Sequence, residues 1–188
     1  MIYSQTVKIC SIGESQVADE ITDLIENQTN PTIAPYAKTG EVHLRVTAKG
    51  TGRKECEDLI LPVVRELERR FGKYIFAESD SVTLEEAVTV LLWQKNFTLS
   101  TAESCTGGAI AARIVNVPGA SDVFMEGMVT YSNEAKKRTL GVTEDTLSDF
   151  GAVSEQCAKE MAEGGCVHAG TALLSALTAP LKQDPASG

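Results

Sequence analysis

The chain has 188 residues, enough for one medium domain or two small ones. It is 43% hydrophobic and carries 17 basic against 26 acidic side chains, a net charge of −9. That balance fits a globular protein and argues against nucleic acid as a partner, because coating a polyanion needs a basic surface. Val7, Ile9 and Ser11 alternate with Thr6, Lys8 and Cys10, which predicts a strand, and Val17, Ile21, Leu24 and Ile25 then recur at helical spacing. Asn30-Pro31-Thr32 reads as a break. Val42, Leu44, Val46 and Ala48 alternate with Glu41, His43, Arg45 and Thr47, the pattern of a strand with one wet face. After the turn at Lys49–Gly52, Cys56, Leu59, Ile60, Val63, Val64, Leu67 and Phe71 share one helix face, with a bend or early interruption expected at Pro62. Tyr74-Ile75-Phe76 closes a β-α-β-α-β order over residues 1–78, a small α+β domain.

A polar hinge, residues 77–82, leads into Thr83 and Glu86, spaced as a capping box at the start of a helix through Leu84, Val88, Leu91 and Leu92. Strand 97–102, helix 106–116, strand 127–131 and helix 133–140 follow, then a short helix from Thr143 to Phe150 and another capped by Ser154 and ending at Gly164-Gly165. This β-α alternation over residues 83–188 predicts a three-layer α/β domain with a ligand near the strand C-termini. No apolar run is long enough for a bilayer and no signal-peptide pattern opens the chain, so a cytoplasmic protein with no membrane partner is expected. Five widely spaced cysteines without a C-x-x-C and only two histidines argue against a disulfide framework, a metal centre or imidazole-based hydrolysis.

The chemistry concentrates in Thr101-Ala-Glu-Ser-Cys-Thr-Gly-Gly108, a small-residue turn between a short apolar strand and a helix-forming run. Such a turn aims free amides at whatever lies above it, favours an anion, and here carries two hydroxyls and a thiol. Ser104 or Thr106 serves equally well as a plain helix N-cap. A second segment, Met128 to Lys136, reads as a strand stopped by Ser132-Asn133, with Lys136 one turn into the next helix and close to Tyr131. Lys136 could equally belong to a solvated basic face with Lys137 and Arg138, and Tyr131 to the core.

Together with Pro118-Gly119-Ala120-Ser121 and Gly151-Ala152-Val153-Ser154-Glu155, these segments resemble the CinA/PncC family, and Gly13-Glu14-Ser15 and Gly40–Arg45 resemble its KH-like middle domain. The resemblance implies an amidohydrolase that converts nicotinamide mononucleotide to its carboxylate and ammonia with no cofactor. Ser104 or Ser121 would be the nucleophile, Lys136 the base and Tyr131 its helper. Glu103, Cys105, Thr106, Gly107 and Gly108 would contact the substrate. It also implies self-association. No G-x-x-G loop occurs, so the first domain is read as structural. Cys105 at a helix start would need a partnered histidine to act as a papain-like nucleophile, and His168 is placed in an irregular tail. The resemblance fails past about Gly164, where family members continue with a Thr-Gly-Ile-Ala-Gly-Pro loop, of which Thr178-Ala179-Pro180 is a remnant. The expectation is therefore an incomplete second domain, shortened or frameshifted after about residue 165. Its alternative reading is an inactive remnant that binds a nucleotide or a protein partner.

Overall fold

Alternating side chains in the first ninety residues build an antiparallel sheet with one dry face. The computed structural model describes residues 1–171 and 173–177, which fall into two units, Met1–Ala87 and a second from Val88 onward. In the first unit β1 (Ile2–Cys10) pairs with β3 (Glu41–Lys49) along its whole length, Ile2 opposite Lys49 and Cys10 opposite Glu41. Helices α1 (Glu14–Glu20) and α2 (Thr22–Glu26) intervene, then β2 (Thr32–Lys38). Helix α3 (Arg53–Phe71), a 3₁₀ turn (Gly72–Tyr74) and β4 (Ile75–Ala77) complete it, with strand order β2-β3-β1-β4. Val7, Ile9, Val42, Leu44, Val46 and Ala48 meet Cys56, Ile60, Val64, Leu67 and Phe71 of α3 in one buried cluster.

Two expectations change here. Residues 32–38, to which the spacing assigned no element beyond the Asn30-Pro31-Thr32 break, are a strand; Pro35 is tolerated because β2 is an edge, where a missing N–H removes no second ladder. Pro62 does not interrupt α3, which runs on to Phe71. Pro62 lies on the exposed side, so the carbonyl that loses its amide partner faces water. Beyond β4 the chain is tied back to the sheet: Lys8 Nζ donates to the carbonyls of Asp80 at 2.9 Å and Val82 at 2.7 Å. Thr83 and Glu86 then form the reciprocal capping box, opening α4 (Leu84–Lys95).

The second unit holds a parallel sheet of order β6-β5-β7, built from β5 (Leu99–Glu103), β6 (Phe124–Val129) and β7 (Leu173–Leu177). Helix α5 (Ala109–Val115) and a 3₁₀ turn (Ala120–Asp122) connect β5 to β6. Helices α6 (Asn133–Leu140), α7 (Glu144–Asp149) and α8 (Glu155–Ala169) lead from β6 to β7. Two apolar clusters form, one around Ala102, Met128, Leu140, Cys157 and Met161, the other around Ile114, Val117 and Ala120 with Leu99 and Phe124. Parallel sheets are covered on both faces, and these clusters do that for β5. Ser132, Thr143 and Ser154 each cap the following helix through a side-chain oxygen.

Helix α8 does not end at Gly164-Gly165 but continues to Ala169, so His168 belongs to its last turn rather than to an irregular tail, with Nε2 3.5 Å from Glu126 Oε1. Gly164 is glycine because α8 crosses the end of α6 too closely for a side chain: a Cβ there would sit 1.7 Å from the Leu140 carbonyl oxygen. Residues 178–180, read as a loop remnant, lie outside the described residues. Backbone cannot retreat as a flexible side chain would, so Gly164→Ala is expected to destabilise the protein by about 3 kcal/mol or more, measured as a drop in chemical-denaturation midpoint.

Candidate active site

Parallel pairing of β5 with β6 brings the ends of two strands side by side. Glu103 stands opposite Val129, and the Thr130 amide extends the ladder by donating to the Glu103 carbonyl at 2.8 Å. Ser104 follows β5 directly, and Lys136 comes from the first turn of α6, which begins after Ser132 turns the chain. Both side chains are withdrawn from water, Ser104 to 7% exposure and Lys136 to 1%. Lys136 Nζ lies 3.0 Å from Ser104 Oγ, and it donates to the carbonyls of Thr130 and Tyr131 at 2.9 Å each. Burial pushes the lysine pKa down from its ordinary value, against a smaller upward pull from the Cys157 and Cys105 sulfurs.

Three polar contacts, as many as an amine nitrogen has directions beyond its own carbon, surround Nζ. A carbonyl can only accept, so Thr130 and Tyr131 take two N–H bonds whatever the charge on the nitrogen. A neutral Lys136 therefore keeps its lone pair for the third direction, toward the serine hydroxyl. Burial and the two carbonyls together orient a base at Ser104. The basic-face reading of Lys136 fails because its side chain points inward, whereas Lys137 pairs with Glu134 and Glu144 nearer the surface.

Glu103 plays a different part from the one the sequence suggested. Its side chain is fully buried and turns back onto the start of α5, where the amides of Gly108, Ile110 and Ala111 donate to its carboxylate at 3.0, 3.0 and 2.8 Å. Burial alone would raise its pKa; the hydrogen bonds from the Ala111 and Ile110 amides more than offset this and hold it below the usual carboxylate value. Gly107 and Gly108 take φ of 60° and 99°, a left-handed path that suits glycine and swings those amides inward. The orphan donors assigned to a substrate anion are thus occupied by the protein's own carboxylate, and Glu103 and Gly108 are removed from the set of ligand contacts. The Gly107 amide is also spent, donating to the Ser104 carbonyl at 3.1 Å.

The remaining candidates separate. Tyr131 reaches Lys136 through its backbone carbonyl, while its side chain is 75% exposed, so neither the proton-relay nor the core reading of the phenol describes it. Ser121 lies in the 3₁₀ turn before β6, at the N-terminal edge of a parallel sheet whose C-terminal edge carries Ser104. Five residues of strand place those edges about 15 Å apart, so within one chain Ser121 does not share the Ser104 site. Cys105, next to Ser104 in the chain, is exposed and forms no disulfide. Sequence reasoning missed Thr130, whose carbonyl helps hold the amine, and Cys157, buried near it; only the position of Thr130 just past a strand could have hinted at it. Among the described residues no three His, Cys, Asp or Glu side chains converge as a metal site, and no helix is long and apolar enough to cross a membrane.

Comparison with known proteins settles the family. Residues 81–178, just over half of the chain, match the CinA C-terminal domain, and residues 4–77 match the damage-inducible protein CinA KH domain. The chain belongs to the CinA family. The C-terminal match runs past Gly164 and through β7. A competence-damage inducible protein of Clostridium perfringens is 54% identical over 171 residues, covering 91% of this chain and 41% of that protein. A CinA-like protein of Dictyoglomus turgidum is 50% identical over the same shares. The chain thus spans about two fifths of the length of these curated relatives. A crystal structure of a competence/damage inducible protein from Agrobacterium tumefaciens is 42% identical and covers 47% of this chain and 53% of its own, with a TM-score of 0.46.

Two outcomes follow from the two buried charges. Glu103→Ala leaves three amides without their acceptor and is expected to lower the unfolding free energy by about 3 kcal/mol, measured in urea. For Lys136, whose folded pKa is depressed, the unfolded chain holds a proton that the folded chain lacks between that depressed value and the ordinary lysine value. Wild-type stability therefore rises with pH across this window, and a pH series of denaturation curves should show that the rise is absent in Lys136→Met.

Proposed function

We propose that the second unit is a serine–lysine amidohydrolase acting on the carboxamide of nicotinamide mononucleotide. The observation that carries this reading is the buried Lys136 amine, 3.0 Å from Ser104 Oγ with its other two directions held by carbonyls. Ammonia release from an amide needs a nucleophile, a base and an oxyanion donor. Neutral Lys136 takes the Ser104 proton as Oγ bonds to the carboxamide carbon. The C–N bond then breaks, the ammonium form of Lys136 returns the proton to the departing nitrogen, and ammonia leaves an ester on Ser104. Water attacks that ester, passing one proton to Lys136; the C–Oγ bond breaks as Lys136 returns that proton to Oγ and regenerates the serine, and the released acid gives its remaining proton to solvent as the carboxylate. The oxyanion donor would come from backbone amides of the turn after Ser104 other than those that Glu103 and the Ser104 carbonyl already take up. The substrate follows from the resemblance to the CinA/PncC family; its phosphate is not held by the Gly108, Ile110 and Ala111 amides, which Glu103 occupies.

Purified chain is expected to release ammonia from nicotinamide mononucleotide. Ser104→Ala and Lys136→Met should each reduce turnover by about a thousandfold, and Lys136→Arg, which keeps the charge, should not restore it. The rate should climb with pH as Lys136 deprotonates, at a pH below the ordinary lysine range because burial lowers its pKa. Ligand-induced stabilisation without ammonia would instead support the nucleotide-binding remnant, and full activity in Lys136→Met would remove the amidohydrolase mechanism.

A further inference from the structure

The wet face of the first unit's sheet carries a cluster that the Ser104 site does not use. Strand register places Lys8 beside His43 and His43 beside Tyr36, with Arg45 beside Thr6 one step along the same face. Thr6, Tyr36, Lys38, His43, Arg45 and Asp80 line a depression of about 240 Å³. In a chain of net charge −9, Lys8, Lys38 and Arg45 outnumber Glu41 and Asp80 on this face and leave it locally positive. Lys8 is engaged by the Asp80 and Val82 carbonyls, and Glu41 by His43 at 2.9 Å. Lys38 and Arg45 remain exposed, and the Arg45 guanidinium lies 5.5 Å from the centroid of the Tyr36 ring, itself 47% exposed. Thr6 is the informative member. It is 3% exposed, and its hydroxyl has no hydrogen-bond partner among the described residues. A buried hydroxyl left unpaired costs about 1–3 kcal/mol, and a valine of the same shape would remove that cost.

We propose that this face binds a nucleoside monophosphate. Arg45 and Lys38 hold its phosphate, with Thr6 turning its hydroxyl to donate to a phosphate oxygen; the base lies against Tyr36. Asp80 would repel a bare anion, but its carboxylate accepts hydrogen bonds from sugar hydroxyls, which selects a sugar-linked phosphate over the free ion. The depression has room for about one nucleotide, and the acidic remainder of the chain discourages a longer strand. The inference does not rest on the amidohydrolase reading.

Calorimetric titration of the full chain tests it with three probes: adenosine monophosphate, inorganic phosphate and adenosine. Adenosine monophosphate should bind, phosphate more weakly, and adenosine not measurably. Thr6→Val and Arg45→Ala should each weaken the nucleotide by about tenfold or more while the thermal transition stays cooperative, and Thr6→Ser should keep the affinity. Titration of Lys136→Met should give the wild-type affinity, which separates this face from the Ser104 site. Absence of binding by both phosphate-bearing probes overturns the proposal. So does affinity unchanged in Thr6→Val and Arg45→Ala, affinity lost in Lys136→Met, or tighter binding of a single-stranded oligonucleotide than of the mononucleotide.

Discussion

An amine buried to 1% exposure, with two carbonyls and one hydroxyl around it, organises the second unit. Charge on such a nitrogen loses its hydration, and the few neighbours that remain cannot fully replace it, so the neutral form gains ground. The carbonyls of Thr130 and Tyr131 fix which way the lone pair points. That orientation requires the end of β6 and the first turn of α6 to be held against the end of β5. The Thr130 amide makes this connection by continuing the ladder onto Glu103, and Ser132 caps the helix that brings Lys136 back.

The neighbouring residue solves a separate problem with the opposite charge. A strand that turns straight into a helix leaves several amides unpaired, and a ligand or a side chain must satisfy them. Glu103 does so from inside, so the turn carrying Ser104 is preformed before any substrate arrives. Lys136 and Glu103 therefore work by contrasting means. One is a cation that burial discourages; the other is an anion that amides retain despite burial. The left-handed glycines are needed for the second arrangement, since they bring the amides of α5 within reach of the carboxylate.

Much of this was readable in the residues. Alternation along Val42–Ala48 and the helical spacing of Cys56–Phe71 found the main pieces of the first unit, and the spacing of Thr83 and Glu86 found a helix start. The Ser104 turn and Lys136 were singled out by residue type and by resemblance to the CinA/PncC family. The failures share a cause. Strand β2 was hidden by Pro35, whose missing amide matters only if the strand is interior, and strand order is not a local property. Gly164-Gly165 suggested a helix end because glycine is a poor helix former; the structure needs Gly164 inside α8 so that another helix can pass. Ser121 was set beside Ser104 by the family resemblance, yet parallel strands put it at the other edge of the sheet.

The resemblance of its motifs pointed to the family, while the amino-acid sequence by itself determined the two-part α+β and α/β organisation and the residue types available for chemistry. Those depend on periodicity, turn chemistry and composition, which are local. Tertiary structure alone decided that Lys136 meets Ser104, that Glu103 occupies the amides first assigned to a ligand, and that Thr6 is left without a partner. Each of those results is a competition for hydrogen-bond partners among groups brought together by folding, and no segment read in isolation contains its competitors.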